Sequence, residues 1–179
     1  DVAAVTLDLI RRYEPDIVLT SCPACFQTFQ FLYPQTLGLA CGFEVQEISQ
    51  YLLPRVAGRL GSLPVTATWH DPCILGRHLG IYEPPRDLLR AIPDLKLVEM
   101  TASHQDSLCC GAGGGAYFAF GDLARQAVLK RLEQATATGA QQIVTSCPNC
   151  YVRFRQAVAR SRLKLRPRSL AALIDEVLP

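Results

Sequence analysis

Apolar residues recur along this chain in two rhythms. Short β-branched or alternating runs near 16–20, 43–47, 65–70, 95–99, 142–146 and 163–166 predict strands. Stretches with apolar positions at helical spacing predict helices over 2–13, 24–32, 49–58, 84–91, 117–138, 149–160 and 169–178. In the first helix Val2, Val5, Leu7 and Ile10 hold the apolar positions. The long helix from Tyr117 carries Phe118, Leu123, Ala127, Leu132 and Ala135 on overlapping faces, turns Arg125, Lys130, Arg131 and Glu133 outward, and stops at Thr138-Gly139-Ala140. Tyr117 and Phe118 are expected to anchor that helix in the core. Strands alternating with helices point to a layered α/β fold with mostly parallel sheets.

A repeat runs through the pattern. The stretch from Asp16 to Cys25, an apolar run ending in Ser-Cys-Pro-Ala-Cys, returns from Gln142 to Cys150 with Ser-Cys-Pro-Asn-Cys. Phe26, Phe29 and Leu32 follow the first copy at helical spacing, and Tyr151, Phe154 and Val158 follow the second. Each copy then has an alternating run, Phe43 to Ile48 or Leu163 to Arg166, and a closing helix. The expected organisation is two tandem Rossmann-like units, the first truncated: residues 1–57 as the C-terminal part of one unit and 65–179 as a complete second. The Pro- and Gly-rich segment from Pro54 to Pro64 marks the boundary. On this reading the chain is the C-terminal part of a two-unit protein.

Composition narrows the function classes. With 179 residues and 49% hydrophobic side chains the chain can bury one good core or two small packed units. A net charge of +2 with dispersed arginines leaves no footprint for nucleic acid. No apolar run is long enough to span a bilayer and no basic-then-apolar leader precedes the first helix. The expected location is the cytoplasm, or the cytoplasmic side of a membrane complex as a peripheral component.

Eight cysteines carry the chemistry. An adjacent pair, Cys109-Cys110, and two Cys-x-x-Cys pairs suit metal ligation or redox work better than a disulfide framework. Cys22, Cys73 and Cys147 each follow a predicted strand, and ligands in open α/β sheets bind beyond the carboxyl ends of strands. Pro23 and Pro148 suit a first helical turn, whose free amides favour an anionic sulfur. The turn Gly111 to Gly115, with Gly111, Gly113 and Gly114 as cofactor contacts, lets main chain pass close to a bulky cluster or forms an anion-binding nest. Amides donated there to cluster sulfurs would raise its potential. A phosphate loop is disfavoured, because neither Gly-Lys-Ser/Thr nor Gly-x-Gly-x-x-Gly after a strand is present. Adjacent side chains grip a single tetrahedral zinc poorly, and five thiolates exceed its four ligands, so Cys73, Cys109, Cys110, Cys147 and Cys150 favour an iron–sulfur cluster over zinc.

Other residues compete between roles. His70 is placed to donate a hydrogen bond to a cluster sulfide or a proton to a departing thiolate, or simply to bond nearby backbone. Asp71 reads as a cap beside Pro72. Arg77 and His78 are candidates to face an anionic substrate or a quinone headgroup, and His104 to line the cleft. Cys41, outside every motif, reads as a buried or incidental thiol.

Cys73, Cys109-Cys110-Gly111 and Cys147-Pro148-Asn149-Cys150, about 35 residues apart in turn, make a pattern that resembles the cysteine-rich, or CCG, domain. That domain occurs in the B and D subunits of heterodisulfide reductases and in iron–sulfur subunits of glycolate and lactate oxidation. The run from His70 to Arg86 looks most like the heterodisulfide-reductase-D group. The resemblance covers 65–179 in full and 1–57 as the tail of a preceding copy, which keeps Cys22 and Cys25 but no Cys-Cys-Gly, so no complete site is expected there. It implies a [4Fe–4S]-type cluster, noncubane in the best-understood relatives, bound by the five cysteines. It implies an oxidoreductase that cleaves a disulfide one electron at a time, with Cys109, Cys110 and His70 at the reacting centre, or that passes electrons to a quinone. Implied partners are a ferredoxin-like iron–sulfur region, a flavoprotein or a quinone-linked membrane subunit. The alternative is a zinc-stabilised structural or assembly subunit without redox activity.

Overall fold

Strands of three or four residues organise the chain into two wholly parallel sheets. The structure is a computed structural model that describes residues 2–179. It begins with α1 (Val2–Arg11), β1 (Ile17–Thr20), α2 (Pro23–Gln27), a π-helical turn (Thr28–Leu32), α3 (Tyr33–Leu37), β2 (Glu44–Glu47) and α4 (Ile48–Val56). There follow β3 (Thr66–Trp69), a second π-helical turn (Ile74–His78), α5 (Glu83–Arg90), β4 (Lys96–Val98), α6 (Ala116–Ala119) and α7 (Gly121–Ala137). The chain closes with β5 (Gln142–Thr145), α8 (Pro148–Ala159), β6 (Arg166–Ser169) and α9 (Leu170–Val177). The two repeated stretches share an element order. β1 pairs with β2 from Ile17 opposite Glu44 to Thr20 opposite Glu47, and β5 with β6 from Gln142 opposite Arg166 to Thr145 opposite Ser169.

The larger sheet has the order β4-β3-β5-β6. From β3 the chain moves out to β4, returns through α7 to β5 on the other side of β3, and continues outward to β6. Connections from the neighbouring strands β3 and β5 therefore leave in opposite directions, and a crevice opens beyond their carboxyl ends. Side-chain alternation divides the core. Ala67, Trp69 and Val144 join Leu88 and Leu89 of α5 and Leu173 and Ile174 of α9, while Ile143 joins Val128, Leu132 and Phe154 of α7 and α8. All four residues of β5 are buried, because helices cover both faces of the sheet there. Val56, at the end of α4, is buried in the same cluster as α5 and α9, so the segment from Pro54 to Pro64 joins stretches that share a core. Leu7, Phe26, Cys41 and Val45 form a smaller core on the β1–β2 pair. Among the described residues, no helix is long and apolar enough to cross a membrane.

Four sequence expectations need correction. The last strand lies at Arg166–Ser169, three residues later than its alternating leucines suggest; Leu165 is buried beneath α7 and α8 instead. Pro167 is tolerated because β6 is an edge strand, where a missing N–H need not break the ladder. The helix expected over 24–32 continues through the π turn to Leu37, where Gly38 closes it with φ 66°. The helix expected over 117–138 is broken at Phe120 (φ −136°, ψ 59°). The break swings Tyr117, Phe118 and Leu123 outward, and none of them anchors the core; Phe118 is 88% exposed. Arg131, expected outside, is fully buried. Phe118→Ser is accordingly expected to leave unfolding free energy within about 0.5 kcal/mol of the parent in urea titrations.

Candidate metal centre

The crevice beyond β3 and β5 gathers five thiols from three segments. Cys73 stands just after β3 and leads into the second π turn, a distortion frequent at functional sites. Cys109 and Cys110 end the long loop from β4. Cys147 precedes α8 with extended backbone, Pro148 takes the first turn, and Cys150 follows within it. The sulfurs interact in sequence: Cys110 lies 3.0 Å from Cys150, and Cys73 with Cys109, Cys109 with Cys110, and Cys147 with Cys150 shift one another's acidity. All are free thiols. Cys110 and Cys150 are buried, while Cys73, Cys109 and Cys147 remain partly open to solvent.

Hydrogen bonding sets the thiols' acidity. Those from Cys110 and Cys73, then the Gly111 amide at 3.3 Å, hold Cys109 far below the ordinary thiol range against burial. Cys147 falls to about 6, because the Cys150 thiol bonds it and the amides of Cys150 and Asn149 at the start of α8 point at its sulfur, outweighing burial. The same contacts raise their partners. Cys110, bonded to Cys109, rises to about 12, and Cys150 and Cys73 rise too. Protons crowded among five sulfurs are thus held unequally, a set of soft donors that metal binding would deprotonate.

The glycines differ in what they do. Gly111 has φ 76°, and a Cβ there would lie 2.5 Å from the Ala124 carbonyl oxygen of α7. Only glycine lets the Cys-Cys turn pass under that helix. Gly113 and Gly114 lie exposed on the outer side of the turn, where an added Cβ meets nothing within 4 Å. Gly111→Ala is expected to cost about 2 kcal/mol or more from the positive φ and the forced displacement of α7, read by denaturant unfolding.

Behind the sulfurs lies a polar wall. His70 is fully buried, and one of its ring nitrogens and the sulfurs of Cys110 and Cys150 all lie within 4.8 Å of one another. Its Nδ1 accepts from Arg131 Nε at 3.0 Å, its Nε2 has no partner among the described residues, and Phe154 packs against its ring edge-to-face. Burial first, then the Arg131 charge, keeps the imidazole's pKa well below the usual value. Asp71 is a buried hub, not a simple cap. It accepts from Arg86 Nη1 at 2.6 Å and Nη2 at 2.9 Å, from Trp69 Nε1 at 3.1 Å and from the His104 amide at 2.9 Å. Sequence reasoning missed Arg131, Arg86 and Ser107. The signal for Arg131 was positional: it falls on the stripe of Ala124, Val128, Leu132 and Ala135 that α7 buries.

The remaining candidates scatter. Arg77 and His78 are exposed beside Cys73; Arg77 donates to the Ser107 carbonyl at 2.6 Å, and His78 Nδ1 lies 3.4 Å from Gln27 Nε2. The His104 ring turns to Glu83 Oε1 at 3.0 Å and stacks near Tyr82. Cys41 is a buried thiol that donates to the Phe29 carbonyl. Cys25 is raised to about 11 by burial, by its bond to Cys22, and by the charges of Cys22 and Cys147. That last effect puts the first Cys-x-x-Cys beside the second.

A site of this make-up has relatives. The chain is 36% identical over 154 residues to the D subunit of the dihydromethanophenazine:CoB–CoM heterodisulfide reductase of Methanosarcina acetivorans, covering 84% of the chain and 38% of the relative. It is 44% identical over 156 residues to the "Probable iron-sulfur-binding oxidoreductase FadF" of Bacillus subtilis, covering 84% and 21%. It is 32% identical over 167 residues to the EtfAB:quinone oxidoreductase of Syntrophomonas wolfei, covering 85% and 22%. The chain spans less than two fifths of the length of these relatives. The cysteine-rich domain, CCG, matches residues 67–155, from β3 into α8, and so takes in all five converging thiols. By that match, the chain belongs to the cysteine-rich CCG-domain family.

Proposed function

We propose that this chain is the cluster-bearing portion of a heterodisulfide-reductase-like subunit, with Cys73, Cys109, Cys110, Cys147 and Cys150 holding a [4Fe–4S]-type cluster of the noncubane kind. The observation that carries this reading is the gathering of five cysteines at the switch point of the sheet, with the Cys110 and Cys150 sulfurs 3.0 Å apart and the Gly111 amide on Cys109. Donor chemistry fits the group: five soft ligands, an amide from Gly111 aimed at a ligand sulfur, and the buried His70 ring beside two others with its Nε2 unpartnered among the described residues. When bound, such a cluster supplies one-electron chemistry at sulfur.

The chain's own residues bind, orient and tune. Cys110 and Cys150 close the inner side, and the partly exposed Cys73, Cys109 and Cys147 face the opening. Gly111 carries the cofactor-contacting amide, and Gly113 and Gly114 leave the outer rim bare for a partner or acceptor. A groove lined by Ala112, Tyr117, Phe118, Asn149 and Arg153 runs beside the Cys-Cys turn and suits the approach of an acceptor. Arg77 and His78 stand at the mouth near Cys73, where they suit an anionic disulfide or a quinone headgroup. Reduction of a disulfide takes two electrons and two protons, delivered as successive one-electron steps. Relatives named as part of a heterodisulfide reductase and as a quinone oxidoreductase support disulfide and quinone as acceptor classes. The donors this reading assigns are a ferredoxin-like iron–sulfur region or a flavoprotein, in a cytoplasmic or membrane-peripheral complex.

A zinc-stabilised structural subunit is the rival, and the group of His70, Cys110 and Cys150 favours it most. It leaves Cys73, Cys109 and Cys147 without a role, and His70 already spends Nδ1 on Arg131. Anaerobically purified protein is expected to show sulfur-to-iron absorption that bleaches on reduction and returns on adding a small disulfide or a quinone. A colourless protein indifferent to reductant contradicts the proposal.

A further inference from the structure

A guanidinium hydrogen-bonded to no carboxylate among the described residues stands directly behind the thiols. Arg131 is fully buried, and among the described residues it enters no salt bridge. Buried charges are costly without compensation. Arg131 makes four hydrogen bonds: Nε to His70 Nδ1 at 3.0 Å, Nη1 to the Ala102 carbonyl at 2.6 Å and to Gln134 Oε1 at 2.9 Å, and Nη2 to Ser107 Oγ at 2.9 Å. The backbone and hydroxyl contacts fix the fork, and the fork fixes the imidazole.

Arginine only donates, so His70 Nδ1 offers its lone pair and the ring proton resides on Nε2. That second nitrogen is buried and has no partner among the described residues, while the ring lies against Cys110 and Cys150 and is wedged edge-on by Phe154 with centroids 4.8 Å apart. A ring held this way presents an N–H, not a lone pair. We propose that Arg131 is the positioning residue of this centre: it locks His70 as the Nε2–H tautomer and makes it a fixed hydrogen-bond donor to the sulfurs on the Cys110–Cys150 side. This inference rests on the reading of the five cysteines as cluster ligands. Donors to cluster sulfurs favour the reduced, more negative state, so the pair raises the reduction potential. It also assigns His70 as a donor to sulfur in place of an iron ligand.

The test uses the full-length, anaerobically purified protein. Arg131→Lys keeps the charge but loses the planar fork. It is expected to retain iron and to shift the midpoint potential downward, as is His70→Asn. In the His70→Asn background, Arg131→Lys is expected to add no further shift, the signature of action through the histidine. Gln134→Ala, which removes a different Arg131 partner, is expected to leave the potential unchanged. Electron–nuclear double resonance of the wild type is expected to show an exchangeable proton coupled to the centre, lost in His70→Asn and altered in Arg131→Lys. Iron-replete Arg131→Lys with wild-type potential and proton coupling overturns the inference. So does a wild-type spectrum whose exchangeable protons are insensitive to His70→Asn, a measurement that stands even if the arginine variant does not fold. Wild-type protein with no iron or sulfide instead overturns the cluster reading, and the inference with it.

Discussion

Replacing Cys110 with serine is expected to reduce iron and sulfide at this site about tenfold or more, because it takes out the sulfur at the centre of the set. Cys110 neighbours Cys109 in the chain and lies 3.0 Å from Cys150, and it is buried, so neither solvent nor a neighbouring thiol substitutes for it. Serine is a harder and less acidic donor, poorly matched to iron held among sulfides. Cys41→Ser supplies the internal control. That thiol is also buried but lies in the small core on the β1–β2 pair, donating to the Phe29 carbonyl, and a hydroxyl can keep that bond. Iron content is expected to survive Cys41→Ser intact. Equal loss in both variants would mean that any buried cysteine substitution simply unfolds the chain, and would remove the support for ligation.

Asp71→Ala is expected to destabilise the fold by about 3–5 kcal/mol, roughly 10 °C in Tm. Asp71 is 3% exposed and shares two hydrogen bonds with the fully buried Arg86. Removing the carboxylate strands a guanidinium whose other carboxylate, Glu99, is partly open to water. The loss also frees Trp69 Nε1 and the His104 amide, in the strand and the loop that flank the thiols. Asp71→Asn keeps the shape and part of the bonding, so a smaller cost is expected. Urea unfolding of cofactor-free protein measures both, since cluster loss then contributes nothing. A change within about 0.5 kcal/mol for the alanine variant would contradict the hub role assigned to Asp71.

The parallel sheets and the rim of cysteines were legible because their signals are local. β-branched runs followed at once by Cys-Pro mark strand ends and helix starts, and the rule for open sheets places ligands there. Strand order is not local. That β3 and β5 are neighbours with departing connections, and hence that Cys73 and Cys147 share one crevice, emerges only from the fold. Arg131 was misread because a charged residue on an amphipathic helix is ordinarily outside. Its burial is decided by His70, far away in sequence, together with Ser107 and the Ala102 carbonyl. Tyr117 and Phe118 were misread for the opposite reason. Their apolar character suggests a core, but Gly115 in the left-handed region and the break at Phe120 detach their short helix from α7. The leucines before β6 alternate as a strand does, yet Leu165 fills the core while pairing begins only at Arg166.

The proposal that five thiolates hold an iron–sulfur cluster is tested most directly by counting iron, zinc and acid-labile sulfide per chain. The comparison is between anaerobically purified wild-type protein and Cys110→Ser. A difference of about four irons and four sulfides is the result expected for a [4Fe–4S]-type centre at this site. Wild-type protein that holds one zinc here, with no iron or sulfide lost on substitution, would contradict it.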